Sequence, residues 1–276
     1  MKKRRADEAL YEDLNLESIT LARALIMEGR VMAGDRKILR SSETLKPGET
    51  LRVRGALDAY VSRGAHKLKK ALEVFPIDLK DRVCVDVGAS TGGFTDVMLR
   101  TGARRVYSVD VGYNLLDYRL RSDPRVTVME RTNARFLTPD AFDPRPGFGA
   151  TDVSFISLKA VLPAALSVLE GADAAFVALV KPQFEAEKAD VGEKGVVRER
   201  RVHEAVLKDL AAFIPTTGWG LSGVDFSPIR GPEGNIEFLF FMTRDGDCGG
   251  NVNDDAIQVT IDRAYDFFSK STKGGL

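Results

Sequence analysis

From Val83 onward the chain carries apolar runs of five to seven residues, each bounded by polar or glycine-containing stretches. They are VCVDV (83–87), VYSVD (106–110), VTVME (126–130), GATDVSF (149–155), AAFVALV (174–180), GLSGVDF (220–226) and IEFLFFM (236–242). Short, nearly continuous runs of this kind are the signature of strands buried on both faces. Stretches at helical spacing lie between the early ones, so the pattern predicts a doubly wound α/β sheet of seven mostly parallel strands. Only SPIRGPEGN separates the last two runs; it leaves no room for a helix, so an antiparallel hairpin is expected there. A helix over SRGAHKLKKALEVF (62–75) is expected ahead of the first strand, and another over RVHEAVLKDLAAF (201–213).

The pattern before residue 60 is different. ESITLARALIMEGRV places Ile19, Ala22, Leu25 and Ile26 on one helical face, with Ser18 as N-cap and Gly29 as stop. Ala33-Gly34-Asp35 sits between two short apolar runs and predicts a hairpin, and Leu51-Arg52-Val53 offers a further strand after the Pro47-Gly48 turn. The chain therefore divides into a small α+β domain over 1–55, a linker over 56–59 and a larger α/β domain over 60–276. A length of 276 residues and a hydrophobic content of 44% suit two unequal units with a substantial core.

Charge adds one asymmetry. The chain holds 40 basic and 40 acidic residues, but residues 1–70 contain 16 Lys or Arg against 10 Asp or Glu. Arg23, Arg30, Arg36, Lys37 and Arg40 stud the first helix and the hairpin after it. They form either a solvated face or a phosphate-binding surface of the kind nucleic-acid affinity rests on. Cys84 and Cys248 lie far apart and His66 and His203 form no cluster, so no metal site is expected. MKKRRADEAL lacks the apolar run of a secretory signal, and no stretch approaches 18 uninterrupted apolar residues. A cytoplasmic chain without membrane contact is expected.

The turn after the first strand, DVGASTGGFTD (86–96), nearly matches the dinucleotide fingerprint G-x-G-x-x-G, but Ser90 stands where its second glycine belongs. Asp110 ends the second strand, where a carboxylate can accept from both hydroxyls of a ribose. The missing glycine is the one that lets a pyrophosphate approach the backbone. Asp86 would oppose a pyrophosphate yet tolerate a sulfonium. Both features favour S-adenosylmethionine over NAD. Asp86, Gly88, Ser90, Thr91, Gly92, Gly93, Phe94 and Asp110 are the expected cofactor residues, with Asn133, in the turn after the third strand, placed for the adenine.

Lys67, Asp152, Lys181 and Glu237 stand out by location, each near the carboxyl edge of the expected sheet or on the helix before it. The segments YVSRGAHKL, VDVGASTGGFTD, VYSVDVG, TDVSFISL, VKPQFEA and GNIEFL, in this order, resemble the TlyA family, hemolysin-named relatives of the FtsJ-type ribosomal RNA 2′-O-methyltransferases. The resemblance spans essentially the whole chain. It implies the methyltransferase variant of the Rossmann-like fold, its sheet ending in an antiparallel hairpin, behind an N-terminal RNA-binding module of the ribosomal-protein type. The family's module begins Arg-Leu-Asp, whereas this chain reads Arg5-Ala6-Asp7.

The resemblance further implies a catalytic tetrad at Lys67, Asp152, Lys181 and Glu237, and methyl transfer from S-adenosylmethionine to the 2′-hydroxyl of cytidine in ribosomal RNA, within ribosomal subunits. Arg5, Arg23, Arg30, Arg36, Lys37, Arg63 and Arg198 are the expected RNA contacts. As general base Lys181 would have to lose a proton near neutral pH; alternatively both lysines stay charged and steady a developing alkoxide. EAEKADVGEKGVVRERRVHE (185–204) reads as a charged surface loop that can also fold over RNA. Two other classes compete, a membrane-lytic protein and a non-catalytic assembly factor. Short, strand-like apolar runs disfavour the first, and the joint presence of glycine turn, Asp110 and four tetrad residues disfavours the second.

Overall fold

The structure, a computed structural model, describes residues 4–14, 16, 19–46, 48–54, 60–244 and 252–273. Ser18 and the expected linker at 56–59 lie outside the described residues. The N-terminal unit comprises α1 (Ala6–Asp13), α2 (Ile19–Met27), β1 (Val31–Ala33), β2 (Arg36–Lys37) and β3 (Leu51–Val53), with strand order β2-β1-β3. Ala22, Leu25 and Ile26 of α2 pack with Leu10, Val31, Ile38 and Leu51 in a core of their own. Gly29 ends α2 at φ 65° and Gly34 turns the hairpin at φ 59°, a region open to glycine because it has no Cβ. The family departure at Ala6 falls on a fully buried residue, and Arg5 and Asp7 on either side of it bond to each other.

The larger unit runs α3 (Ala65–Val74), β4 (Val83–Val87), α4 (Gly93–Arg100), β5 (Arg105–Val109), α5 (Tyr118–Arg121), β6 (Val126–Met129), β7 (Phe148–Thr151), α6 (Leu158–Ser167), β8 (Ala175–Val180), α7 (Pro182–Glu185), α8 (Arg200–Phe213), β9 (Gly220–Phe226), β10 (Phe238–Thr243) and α9 (Asp254–Lys273). Its seven strands take the order β6-β5-β4-β7-β8-β10-β9. The chain first winds outward through β5 and β6, then crosses back to β7. The reversal between β4 and β7 opens the crevice where such sheets bind ligands. The last hairpin enters by its second strand: β10 pairs antiparallel with both β8 and β9, leaving β9 at the edge.

Alternation along the strands sends residues to two apolar layers. Val83, Val85, Val87, Phe176, Ala178 and Val180 join one, packed under α6, α8 and α9; Cys84, Phe148, Ala150, Val177, Leu179, Leu239 and Phe241 join the other, under α3 and α4. Two expectations need correction. The run GATDVSF is strand only to Thr151, because the chain turns away through Asp152 to Phe155, whose φ is 63°. Glu237 precedes β10 rather than lying in it. The strand pattern also gave no place to α9, although Ile257, Ile261, Ala264 and Phe268 recur at helical spacing and are buried against the first layer.

Candidate active site

The period-two alternation that builds the second layer also selects its polar edge. Asp86 follows Cys84 on that face, Asp152 follows Ala150, Lys181 follows Leu179, and Glu237 precedes Leu239. β10 runs against β8, and Phe238 pairs with Val180, so Glu237 and Lys181 stand level at the carboxyl edge. On the same side, α3 buries Ala65, Leu68 and Ala71 and with them carries Lys67 under that edge.

Four charges then meet. Lys67 Nζ lies 3.1 Å from Asp152 Oδ2 and 2.9 Å from Glu237 Oε2, and Lys181 Nζ lies 2.6 Å from Asp152 Oδ1. The order is Glu237, Lys67, Asp152, Lys181, with Lys181 at the open end. Lys67, Lys181 and Glu237 are buried. Burial works against the Lys67 ammonium, but Asp152 and Glu237 outweigh it and hold its pKa above the usual lysine value. Burial likewise works to raise Asp152, and the two lysines outweigh it, holding that carboxyl below its usual range. Lys181 Nζ also donates to Ser154 Oγ at 2.7 Å and to the Asp152 carbonyl at 3.3 Å.

The glycine turn is shaped by close approach. Gly88 takes φ 85°, and a Cβ there would come within 2.9 Å of Val153 Cγ1 and 3.3 Å of its backbone. At Gly93 a Cβ would come 2.6 Å from Ser62 Oγ and 3.0 Å from the Ala65 nitrogen, so this glycine lets α4 and the start of α3 touch. Asp110 braces the turn, its Oδ2 accepting from the Ser90 N–H and its Oδ1 from the Gly112 N–H, both at 2.7 Å. Each oxygen keeps a lone pair for a ribose hydroxyl.

Asp86 is nearly fully buried; its Oδ2 accepts from the Thr95 N–H and hydroxyl, and Thr95 in turn contacts Ser108. Its Oδ1 is buried with no hydrogen-bond partner among the described residues. Burial, aided by Asp152 and Asp110, pushes its pKa up to about 7 against the Thr95 bonds. A buried carboxylate oxygen left over at a cleft wall suits the ammonium of an amino-acid-bearing nucleoside.

These groups line two joined compartments. One, of about 220 Å³, holds the four charges, Asp86, Gly88, Ser90, Thr91, Gly93 and Phe94. The other, of about 320 Å³, runs between Asp110, Asn133 and the apolar side chains of Val109, Leu115, Val153 and Ile156. Met27, Gly88, Ser90, Asp152 and Ser154 border both. Asp110 at one side and an apolar floor match a ribose and a purine, so the residues present fit S-adenosylmethionine. Asn133 lines that compartment, while its Oδ1 accepts from the Arg135 N–H. Gly92 does not line either compartment; at φ 96° it starts α4, and a Cβ there would strike Leu116 and Leu120.

The expected RNA contacts divide. Arg5 and Arg23 both bond to buried Asp7, whose carboxyl they hold below its usual range despite burial, and Arg36 pairs with Glu43 and Glu49. Arg30 donates to the Arg54 carbonyl. Lys37 reaches the Pro232 carbonyl and Arg63 the Arg230 carbonyl, placing both beside the last hairpin. Arg198 is exposed, and Tyr265 donates to its carbonyl. The sequence missed Glu28: its Oε1 accepts from the Arg63 N–H at 2.8 Å, and with Ala24 and Met27 it walls the charged compartment. Burial pushes its pKa up. No apolar period signals such a contact, because it joins residues 35 positions apart.

Residues 60–244 match the FtsJ-like methyltransferase family. The chain is 44% identical to the Bacillus subtilis protein YqxC over 268 residues, covering 96% of this chain and 95% of the relative. It is 50% identical over 184 residues to the Mycobacterium tuberculosis 16S/23S rRNA (cytidine-2′-O)-methyltransferase TlyA, 67% of this chain and 68% of that one. A solved structure from Streptococcus thermophilus carrying the name hemolysin is 42% identical, covers 99% of both chains and superposes with a TM-score of 0.77.

Proposed function

Because the chain belongs to the TlyA branch of the FtsJ-like methyltransferases, we propose that it transfers a methyl group from S-adenosylmethionine to the ribose 2′-hydroxyl of a cytidine in ribosomal RNA, acting on an assembled subunit. The observation that carries this reading is the bridge of Asp152 between Lys67 and Lys181 at the wall shared by the two compartments. It sets a cation beside the place where a hydroxyl must lose its proton.

When bound, the cofactor supplies an electrophilic methyl on a sulfonium. Asp110 would hold the ribose, Asp86 the amino group, and the apolar compartment the adenine. Lys67 helps hold the Asp152 carboxyl below its usual range and pairs with Glu237, and Asp152 in turn aims Lys181 at the incoming hydroxyl. Lys181 lies nearest that oxygen and takes its proton as the methyl is transferred. Holding the oxygen in line with the methyl removes most of the entropic barrier of a bimolecular displacement. The exposed ring of Phe155, against Phe184, offers a stacking face for an unpaired base at the mouth. Lys37 and Arg63 extend the positive rim toward the N-terminal unit.

Among the described residues no helix is long and apolar enough to cross a membrane. The test is incubation with ribosomal subunits and labelled S-adenosylmethionine, followed by mapping of the label. A 2′-O-methylcytidine is expected; label on a base would overturn the ribose assignment.

A further inference from the structure

The Lys181 ammonium donates hydrogen bonds to Ser154 Oγ and the Asp152 carbonyl and forms an ion pair with Asp152 Oδ1. Asp152 is shared with Lys67, and the carbonyl contact is long, which leaves Ser154 as the close neutral partner. Ser154 is exposed, whereas Lys181 is buried, and it borders both compartments. Its hydroxyl accepts from Lys181 and so points its own proton away, toward solvent.

The local backbone is arranged to put it there. Val153 packs on Gly88 so closely that no side chain fits beneath it, and Phe155 takes φ 63°, a region that favours glycine. A bulky residue held in that region marks a turn fixed by its surroundings. Here it turns Ser154 onto the lysine while Asp152 stays in register with the sheet edge.

We propose that Ser154 is a positioning and relay residue: its hydroxyl orients Nζ of Lys181 and passes the proton released by methyl transfer to bulk water. The proposal rests on the methyltransferase reading above. The resting ammonium of Lys181 gives one proton to Ser154 Oγ as the serine's own hydroxyl proton moves to water, leaving a neutral amine and an unchanged serine. O2′ then gains the methyl carbon from the sulfonium as its proton passes to Nζ. The products are a neutral thioether, the O2′-methyl ether and the ammonium restored. One proton leaves per turnover, as the overall displacement requires. The long contact to the Asp152 carbonyl is the one that the substrate oxygen replaces.

The test is single-turnover methyl transfer to ribosomal subunits by the full chain, as a function of pH and in light and heavy water. Ser154→Ala is expected to slow transfer by about tenfold or more, to shift the rising limb of the pH profile upward and to enlarge the solvent isotope effect. RNA KM and cofactor affinity stay unchanged. Ser154→Thr, which keeps the hydroxyl, restores rate and profile. The proposal is overturned if Ser154→Ala transfers at the parental rate, if its loss lies in KM, or if the threonine variant folds and binds cofactor yet stays as slow as the alanine one. Failure of the parental chain to methylate ribose at all would instead sink the underlying function.

Discussion

Arg36 and Lys67 are each a cation flanked by two carboxylates, and they do opposite things. Arg36 lies between Glu43 and Glu49 with 41% of its side chain exposed; Lys67 lies between Asp152 and Glu237 with 9% exposed. In water such pairs are worth little, because solvent screens them and the long side chains lose freedom. Buried, each partner has given up its hydration, and the cluster holds only while every member is present. The Arg36 pairs can thus release their cation to a phosphate at small cost. The strand-end pairs fix geometry.

Removing the central cation breaks this contrast most sharply. Lys67→Met leaves buried Glu237 and half-buried Asp152 without it, and a loss of about 3 kcal/mol in folding stability is expected, with methyl transfer abolished. Chemical denaturation of both proteins checks it; a variant as stable as the parent would place the cluster in water.

Asp110→Ala comes next. It removes two carboxylate bonds to the turn as well as the ribose partner, and because Asp110 is only half-buried water can serve the freed N–H groups, so the stability loss stays below that of Lys67→Met. Cofactor affinity should fall at least tenfold by calorimetry, with the fold intact.

Asp86 sharpens the comparison through pH. Its pKa rises to about 7 from an ordinary 3.8, so the stability it lends is full below about pH 4 and lost as pH climbs through 7. Asp152, held low, behaves oppositely and loses its contribution as pH falls. A ligand ammonium binds the ionised form of Asp86, and with the ligand's own amine beginning to deprotonate, cofactor affinity should rise about fourfold from pH 6 to pH 8. Asp86→Asn should flatten that rise. A parental affinity independent of pH would remove the assigned contact.

The smallest effect belongs to Arg36→Ala. The thermal unfolding midpoint should barely move, while affinity for ribosomal RNA drops and its salt dependence becomes shallower. A large stability loss would erase the distinction between the two regions.

Much of this was legible in the sequence because strand alternation is a strong local signal. Seven short apolar runs located the sheet, and the same period two carried Asp86, Asp152, Lys181 and Glu237 to one face. Which lysine would sit between two acids was not legible, since α3 reaches that face only by packing on it. Ser154 and Glu28 were invisible for the same reason: a hydroxyl and a carboxylate find their partners through backbone turns and contacts 27 and 35 residues away. Nor could the sequence, which only counts charges, show that Asp7, Glu43 and Glu49 pair with three cations of the N-terminal unit.

The central claim is that the strand-end cluster exists to present Lys181 to a ribose hydroxyl. Single-turnover transfer by Lys181→Ala, measured beside its cofactor affinity, tests it most directly. Transfer is expected to fall at least a hundredfold, roughly the contribution of a placed proton-transfer group, with cofactor affinity within about twofold of the parent. Transfer near the parental rate would contradict it.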